Sequence, residues 1–189
     1  MTPGSADEDK AALRRHFLAR RRALSDAQIA AARQGVREAV LRRCRERGWR
    51  CVAAYEPLRT EPGSTALLDG LAAAGVEVIV PVLLPDRDLD WSRWRDTPGG
   101  ALGTAAIARA DAVLVPALAV AHDGTRLGRG GGSYDRVLPR VPAGVPVAAL
   151  LHAGELVASL PWQPWDVRVG AVVLPDGWHP LQPPRVDGE

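Results

Sequence analysis

The sequence predicts an α/β fold in which a largely parallel sheet is covered on both faces. Five short, continuous apolar runs are bounded by turn-forming residues and alternate with segments of helical character. Continuous apolar runs are typical of strands buried on both faces, and alternation with helices favours parallel pairing. The 189 residues suffice for one hydrophobic core, so we expect a single domain over residues 1–189.

Two basic helices are predicted ahead of the first strand, over about residues 6–47. The stretch Ala11–Leu24 carries apolar residues at helical spacing, and arginines fill its other face. The tetrapeptide Ser-Asp-Ala-Gln at 25–28 has the form of a capping box. It predicts a second helix from Asp26 to about Arg47, which ends at Gly48.

The α/β core is predicted over about residues 51–175. A helix is expected to begin at Ser64 and to end at Gly75, and residues 84–100 resemble a hairpin or an excursion from the core. The proline-rich tail, residues 176–189, is expected to fray. The predicted strands are residues 51–57, 76–84, 111–120, 145–151 and 169–175.

The charge of the chain is concentrated at one end. Residues 1–50 carry 13 Lys and Arg against 6 Asp and Glu, whereas the remaining 139 residues carry 11 against 16. A basic region of this kind suits nucleic acid, an anionic ligand or merely solvated helix faces. Cys44 and Cys51 form no metal-binding motif and are expected to be free thiols. No apolar run approaches 18 residues and no signal peptide is apparent, so we expect a cytoplasmic protein with no membrane partner.

A glycine-rich loop carries the strongest functional signal. Residues 123–138 read DGTRLGRGGGSYDRVL, between a strand that ends near Val120 and a predicted helix start. In this arrangement glycine amides and a helix N-terminus bind phosphate, and Arg126 and Arg129 would add charge-assisted hydrogen bonds. Asp135 is placed either to hold Mg²⁺ at phosphate oxygens or to start the helix.

The residues of this loop do not name a reaction by themselves. No lysine follows the glycines as in a Walker A loop, and the dinucleotide-binding glycine spacing is absent. A flexible hairpin tip with solvated arginines is the plainer alternative. The pattern therefore predicts a phosphate or nucleotide site and leaves its chemistry open.

The stretch GTRLGRGGGSYDRVL also resembles the signature of the 5-formyltetrahydrofolate cyclo-ligases, or 5,10-methenyltetrahydrofolate synthetases. That signature is G-x-R-L-G-x-G-x-G, an aromatic residue and then Tyr-Asp. Other landmarks of the family follow in the same order, so the resemblance covers about residues 10–175. These landmarks are KAALR at 10–14, YEPLRTEPGSTALL from Tyr55, LVPALAV before the loop and LPWQPWDVRV after it.

The resemblance implies both a fold and an activity. The fold would be a three-layer α-β-α sandwich with a mostly parallel sheet, similar to the sugar-phosphate isomerase and CoA-transferase group. The activity would be ATP-dependent conversion of 5-formyltetrahydrofolate to 5,10-methenyltetrahydrofolate, with release of ADP and phosphate. The partners would then be two small molecules, ATP and 5-formyltetrahydrofolate, with Mg²⁺ as cofactor.

The resemblance also assigns roles to individual residues. Arg126 and Arg129 would be catalytic, because they compensate charge as the γ-phosphoryl group moves. Glu61, and more weakly Glu56, would bind the pterin. The residues expected to bind ATP are Lys10, Arg14, Arg126, Leu127, Gly128, Arg129, Gly130, Gly131, Gly132, Ser133 and Tyr134, and those expected to support Mg²⁺ are Asp135 and Asp166.

Several of these residues have simpler readings. Lys10 and Arg14 would otherwise be an exposed pair on a basic helix, Asp166 a turn residue and Glu61 a loop glutamate. The sequence also departs from the family pattern. Ser133 stands where the family usually has Tyr or Phe, and Gly131 where some members have Lys. A lost aromatic ring could be replaced by Tyr134, Trp91, Trp94, Trp162 or Trp165.

Two other functions remain open at this stage. A relative that binds nucleotide or folate without catalysing a reaction would keep the same landmarks. Nucleic-acid binding through the N-terminal helices is less favoured, because their arginines are scattered around both helices and no nucleic-acid-binding motif is present.

Overall fold

The computed structural model describes residues 3–96 and 100–181, with side chains from residue 7 onwards. Short 3₁₀ helices cover Thr104–Arg109 and Leu138–Arg140. The α-helices are α1 (Pro3–Arg22), α2 (Asp26–Arg47), α3 (Thr65–Ala73) and α4 (Ser133–Val137). The strands are β1 (Cys51–Ala53), β2 (Glu77–Leu83), β3 (Leu89–Arg93), β4 (Ala112–Pro116), β5 (Ala119–Ala121), β6 (Arg126–Leu127), β7 (Val147–Leu150), β8 (Leu156–Val157), β9 (Ala171–Leu174) and β10 (Gly177–Pro180).

Seven of these strands form a central sheet with the order β10-β9-β7-β4-β1-β2-β3. The five inner strands are parallel, and an antiparallel strand closes each edge. In register, Val52 of β1 lies between Val78 of β2 and Ala112 of β4. The predicted α/β fold with a mostly parallel sheet flanked by helices is confirmed.

Each face of the central sheet buries its own apolar cluster. Helices α2 and α3 cover one face, where Val40 and Leu71 are fully buried. The other face is covered by short elements that include α4 and both 3₁₀ helices, with Ile107 and Trp91 at the centre of the second cluster. The second layer is therefore thinner than the predicted sandwich suggests, since few long helices contribute to it.

Helix α1 packs away from the central sheet, on a small second sheet of order β6-β5-β8. Phe17 of α1 joins a separate apolar cluster with Leu118, Ala119 and Leu127. This packing fixes α1 beside the carboxyl ends of the central strands. None of the helices in the described ranges is both long and apolar enough to span a membrane.

The predicted start and end of the second helix are confirmed. The Ser25 hydroxyl accepts a hydrogen bond from the Gln28 backbone amide, and the Gln28 side chain accepts one from the Ser25 amide. Gly48 ends α2 with a left-handed φ of 63°. Ser64 caps α3 in the same way, through the Leu67 amide. The local capping chemistry thus sets these boundaries without tertiary help.

Three sequence expectations need correction. The apolar run 111–120 is two strands in different sheets, because the chain turns out of the central sheet after Pro116 and Leu118 N donates to Leu127 O across the second sheet. The predicted strand 51–57 ends at Ala53. The expectation that 176–189 frays is wrong for Gly177–Pro180, since β10 pairs with β9 and the Trp178 ring contacts the Trp49 ring in a tilted arrangement, with 5.6 Å between the ring centroids. Residues 182–189 lie outside the described residues.

Both cysteines are free thiols, as expected, and both are buried. Burial raises the pKa of Cys51 to about 11, and the charge of Glu77 adds to this effect. Burial also raises the pKa of Cys44. Neither thiol is therefore a reactive thiolate near neutral pH.

Helix α2 approaches the chain that follows β9 most closely at Gly35. A Cβ atom on Gly35 would overlap the carbonyl oxygen of Pro175 and lie 2.9 Å from its Cα atom. Because these are backbone atoms, the helix must move away from the sheet to accept a side chain. We expect Gly35→Ala to lower the free energy of unfolding by about 1–3 kcal/mol, measured by urea denaturation.

The control is Gly70→Ala in α3. A Cβ atom there meets only the ends of flexible side chains, at 3.2 Å from Leu41 Cδ1 and 3.3 Å from Arg37 Nε. Because alanine has the higher helix propensity, Gly70→Ala should leave stability unchanged or raise it by up to about 1 kcal/mol. A Gly35→Ala protein as stable as the wild type would contradict the close packing of α2.

Candidate active site

A cavity of about 370 Å³ opens at the carboxyl ends of β1 and β4. After β1 the parallel strands continue on one side with β2, and after β4 they continue on the opposite side with β7. The direction of strand order therefore reverses between β1 and β4. Ligands bind outside the carboxyl ends of parallel strands at such reversals. The topology thus places a binding site here independently of any motif.

All of the candidate residues predicted from the sequence line this one cavity. They arrive on four separate segments: helix α1, the chain after β1, the glycine-rich loop with α4, and the segment before β9. The set is Lys10, Arg14, Glu56, Glu61, Arg126, Leu127, Gly128, Arg129, Gly130, Gly131, Gly132, Ser133, Tyr134, Asp135 and Asp166. Their individual roles remain predictions.

Sequence reasoning missed the apolar wall of the cavity. These residues come together only through the sheet order and the turn after β4. Five of them lie in stretches that resemble the family, YEPLRTEPGSTALL and LVPALAV, but neither stretch marks them as part of a cavity. The residues of this wall are Tyr55, Leu58, Pro81, Leu89, Pro116, Ala117 and Leu118.

Helix α1 directs two cations into the cavity. Lys10 is only 5% exposed, and its Nζ donates to Asp166 Oδ2 at 2.5 Å and to Gln163 Oε1 at 3.3 Å. Arg14 Nε donates to Gly128 O at 3.1 Å. The alternative of an exposed basic pair is therefore wrong for Lys10.

A buried ion pair fixes α1 in place. Arg21 is 1% exposed, and its Nε and Nη2 donate to the two carboxylate oxygens of Glu155, each at 2.7 Å. Arg21 Nη2 also donates to Ala117 O at 2.6 Å, and Glu155 Oε2 accepts from His152 N at 2.8 Å. One guanidinium thus joins α1 to the chain leaving β4 and to the turn after β7.

The glycine-rich loop uses backbone conformations that favour glycine. Gly130 has φ 98° and Gly132, which precedes α4, has φ 73°. Arg14 of α1 contacts the loop, since its Nε donates to Gly128 O and its Cζ lies at an ordinary van der Waals distance, 3.4 Å, from where a Cβ atom on Gly130 would be. The loop is therefore shaped against α1, unlike a solvated hairpin tip.

Arg126 lies beneath this loop and is 8% exposed. Its Nη2 donates to Asp135 Oδ1 at 2.7 Å, and its guanidinium carbon lies 5.7 Å from the Tyr134 ring centroid. Burial lowers the pKa of Arg126, although the Asp135 charge opposes the shift. Its Nη1 is buried and has no partner among the described residues, so a donor remains for a ligand oxygen.

Three cations of the cavity are held in carboxylate pairs. Besides Lys10–Asp166 and Arg126–Asp135, Arg129 Nε lies 3.5 Å from Glu61 Oε1. Glu61 is 4% exposed and its Oε2 accepts from Leu58 N at 2.8 Å. Arg129 belongs to the glycine-rich loop, which is predicted to bind ATP, and Glu61 is predicted to bind the pterin. Their ion pair therefore connects the two predicted binding regions.

Asp135 and Asp166, the two candidate metal ligands, offer carboxylate oxygens, the donor type that Mg²⁺ prefers. The described residues contain no group of three or more His, Cys, Asp or Glu placed to hold a metal. Asp135 and Asp166 each use one oxygen in an ion pair, whereas Asp135 Oδ2 and Asp166 Oδ1 accept no hydrogen bond from the described residues. Since Mg²⁺ commonly binds one or two carboxylates plus substrate phosphates, the residues fit a cation that arrives with a nucleotide.

The aromatic residues predicted as replacements for a ring at position 133 differ in their access to the cavity. Tyr134 lines it, and burial raises the pKa of its hydroxyl, which therefore stays protonated. Trp91 is fully buried in the core and Trp94 Nε1 donates to Asp69, so neither replaces a ring at position 133. The two remaining candidates, Trp162 and Trp165, are exposed by 46% and 66% respectively.

Comparisons with known proteins agree on one family. The family model described as the 5-formyltetrahydrofolate cyclo-ligase family matches residues 6–175. The 5-formyltetrahydrofolate cyclo-ligase of Mycolicibacterium smegmatis is 37% identical over 191 residues, which covers 88% of this chain and 93% of that protein. The enzyme of the same name from Escherichia coli K12 is 37% identical over 75 residues, 36% of this chain and 38% of its own length.

Two solved structures share the fold. The 5,10-methenyltetrahydrofolate synthetase of Mycoplasma pneumoniae has a TM-score of 0.76 at 22% identity, covering 88% of this chain and 99% of that one. The protein of the same name from Aquifex aeolicus has a TM-score of 0.70 at 23% identity, covering 95% and 94%.

The ion pair of Arg21 generates a stability prediction. Removing the guanidinium leaves Glu155, which is 3% exposed, as an uncompensated buried charge. We expect Arg21→Ala to lower the free energy of unfolding by about 3–5 kcal/mol in urea denaturation. Neutralising the orphaned partner with Glu155→Gln should recover part of that loss.

Arg22→Ala is the matched control, because Arg22 is the next residue of α1 and is exposed. Its effect should stay within about 0.5 kcal/mol. A loss below about 1 kcal/mol for Arg21→Ala would show that the pair does not anchor α1.

Proposed function

The chain belongs to the 5-formyltetrahydrofolate cyclo-ligase family, and from this premise we propose that it converts 5-formyltetrahydrofolate to 5,10-methenyltetrahydrofolate using ATP, with release of ADP and phosphate. One observation carries the proposal. A single cavity at the reversal of strand order joins a cation-bearing glycine-rich loop to a buried carboxylate, Glu61, and an apolar wall. Such a cavity can hold a nucleotide and a heterocycle next to each other.

The reaction must overcome the low reactivity of a formamide. Its carbonyl carbon is a weak electrophile and its oxygen a poor leaving group. Transfer of the γ-phosphoryl group to the formyl oxygen breaks the bond to ADP and gives an iminium phosphate. N10 then attacks the formyl carbon and loses its proton to solvent, and the C–O bond breaks to release phosphate. The protein must position these groups and stabilise charge.

The part of the cavity that would bind ATP, here called the nucleotide half, is formed by α1 and the glycine-rich loop. Lys10 and Arg14 approach the loop from one side, Arg126 lies beneath it, and Arg129 extends from it. The buried Nη1 of Arg126, which has no partner among the described residues, supports a contact with a phosphate oxygen of the nucleotide. Cations fixed before the reaction stabilise the transferred phosphoryl group without reorganisation.

The carboxylates paired with these cations are the candidates to hold Mg²⁺. When phosphate oxygens take over the hydrogen bonds of Lys10 and Arg126, Asp166 and Asp135 are released. Mg²⁺ bound there with the nucleotide would neutralise charge on the phosphates.

The part of the cavity that would bind the folate, here called the folate half, lies around Glu61. Its buried carboxylate can accept hydrogen bonds from the N–H groups of a pterin, and Pro81, Leu89 and Pro116 offer apolar surface to the ring. Because Glu61 lies 3.5 Å from Arg129, a pterin bound here would hold its formyl group close to the phosphoryl group. Three basic residues of α1, Lys10, Arg14 and Arg21, are engaged within the protein, which favours this function over nucleic-acid binding.

Turnover is tested by mixing the protein with 5-formyltetrahydrofolate and Mg-ATP and following the absorbance of methenyltetrahydrofolate. We expect ATP-dependent product formation, with kcat/KM lowered about 10²–10³-fold in Lys10→Ala and in Arg126→Ala, because each loses a cation that stabilises the transferred group. Circular dichroism of each variant confirms folding.

Arg15→Ala is the control, since Arg15 is an exposed neighbour of Arg14 and should leave kcat/KM unchanged. Absence of product from a folded protein that binds ATP would refute the cyclo-ligase proposal. It would leave a nucleotide-binding relative in which Ser133 and Gly131 are the first residues to revert to the family pattern.

Removal of divalent cations should abolish turnover, and added Mg²⁺ should restore it. We expect Asp166→Asn to raise the Mg²⁺ concentration for half-maximal rate about 10–100-fold, because one anionic ligand is lost. Asp176→Asn, on the exposed turn between β9 and β10, should have the wild-type Mg²⁺ dependence. An unchanged Mg²⁺ dependence in both Asp166→Asn and Asp135→Asn would exclude these two residues as ligands.

A further inference from the structure

The segment Leu58–Glu61, here called the Glu61 loop, is held almost entirely by side chains from other elements. It has no helix or strand, and its one internal backbone hydrogen bond runs from Glu61 N to Leu58 O at 3.0 Å. Yet each of its four successive carbonyl oxygens meets a side-chain nitrogen from elsewhere in the fold. Two residues, Arg33 and His152, supply all four contacts.

Arg33 of α2 makes three of these contacts. Its Nη2 donates to Leu58 O at 3.2 Å and to Arg59 O at 2.9 Å, and its Nε donates to Glu61 O at 3.1 Å. Arg33 is not among the residues that line the cavity. It therefore reaches the loop from behind, on the side away from the ligand site.

His152 makes the fourth contact from the turn after β7. Its Nε2 lies 2.9 Å from Thr60 O, and since a carbonyl only accepts, the ring carries its proton on Nε2. The imidazole is 6% exposed, and burial lowers its pKa, so the ring is neutral near pH 7. His152 N in turn donates to Glu155, which belongs to the ion pair that anchors α1.

The next arginine on the same side of α2 makes a different kind of contact. Arg37, one helical turn on from Arg33, donates through Nε to Ala66 O in the first turn of α3. It thus ties two helices together, and its hydrogen bond among the described residues goes to α3 and not to the Glu61 loop. Arg33 and Arg37 can therefore be compared: Arg33 donates to the Glu61 loop, whereas Arg37 donates to a neighbouring helix.

We propose that Arg33, with His152, is a positioning residue for folate binding: it fixes the backbone of the Glu61 loop so that the Glu61 carboxylate meets the pterin at the required depth and angle. The inference rests on the proposed function, in which Glu61 binds the pterin. Arg33 itself touches no substrate, and displacement of a binding group by about 1 Å can cost up to about 100-fold in activity.

The test compares Arg33→Ala, Arg33→Lys and the control Arg37→Ala. For Arg33→Ala we expect the KM for 5-formyltetrahydrofolate, and its Kd from calorimetry without ATP, to rise about 10-fold or more. The KM for ATP should change less than about 2-fold, because the nucleotide half is held by other segments. Arg33→Lys, which keeps the positive charge and one donor nitrogen, should lie between Arg33→Ala and the wild type. Arg37→Ala should keep both wild-type values.

A double-mutant cycle separates positioning from general loss of structure. In a Glu61→Gln background, Arg33→Ala should add less than about 2-fold to the folate Kd, since the carboxylate that it positions is already gone. His152→Ala should weaken folate binding in the same selective way, and His152→Gln, which keeps a donor, should recover part of it.

Three results would overturn the inference: unchanged folate binding in Arg33→Ala, equal rises in the KM for folate and for ATP, or full additivity with Glu61→Gln. A wild-type protein that binds folate without turnover would refute the proposed reaction alone, and the calorimetric test of Arg33 would stand. A wild-type protein that does not bind folate would refute both.

Discussion

The ion pair between Arg21 and Glu155 is the constraint on which the rest of the site depends. Both side chains are buried, so removing either charge would leave the other unpaired in the protein interior at a large cost in stability. The hydrogen bonds between them therefore fix the position of α1. Lys10 lies 11 residues earlier on the same helix, about 16 Å along its axis. Because a helix is rigid over that distance, fixing Arg21 also fixes the position of Lys10, whose ammonium group lies at Asp166.

The ion pair between Arg21 and Glu155 also connects the segments on either side of the cavity. Glu155 accepts from the amide of His152, whose ring holds the Glu61 loop, whereas Arg21 holds the chain where it leaves β4. The parts of the cavity proposed to bind nucleotide and folate therefore share a single buried anchor. Among the described residues, three of the four cations that line the cavity are paired with carboxylates, which keeps the buried Lys10 and Arg126 in place until a ligand offers other oxygens.

Local signals in the sequence predicted local structure well. The capping box at Ser25 and the glycine at 48 predicted the correct ends of the second helix, and three of the five apolar runs predicted the correct strand positions, because their causes lie within a few residues. The candidate site residues were also found, through an ordered set of motifs, and the cavity brings them together. Arg21, Arg33 and the apolar wall were not found, since their contacts span 25 to 134 residues and leave no periodic pattern. The division of 111–120 into two strands was missed for a related reason: an apolar run does not reveal which sheet each part joins.

The antiparallel strands at the two edges of the central sheet also bear on self-association. An exposed edge strand offers unpaired amides and carbonyls to another chain. Here Leu102 N donates to Trp91 O and Gly103 N to the Asp90 side chain, so the outer edge of β3 is already engaged, and β10 ends in Pro180, which has no amide hydrogen to donate. Addition of a further strand to the sheet is thus hindered at Trp91 of β3 and at Pro180 of β10. Any assembly of this chain would more readily use helix surfaces or loops than a continuous intermolecular sheet.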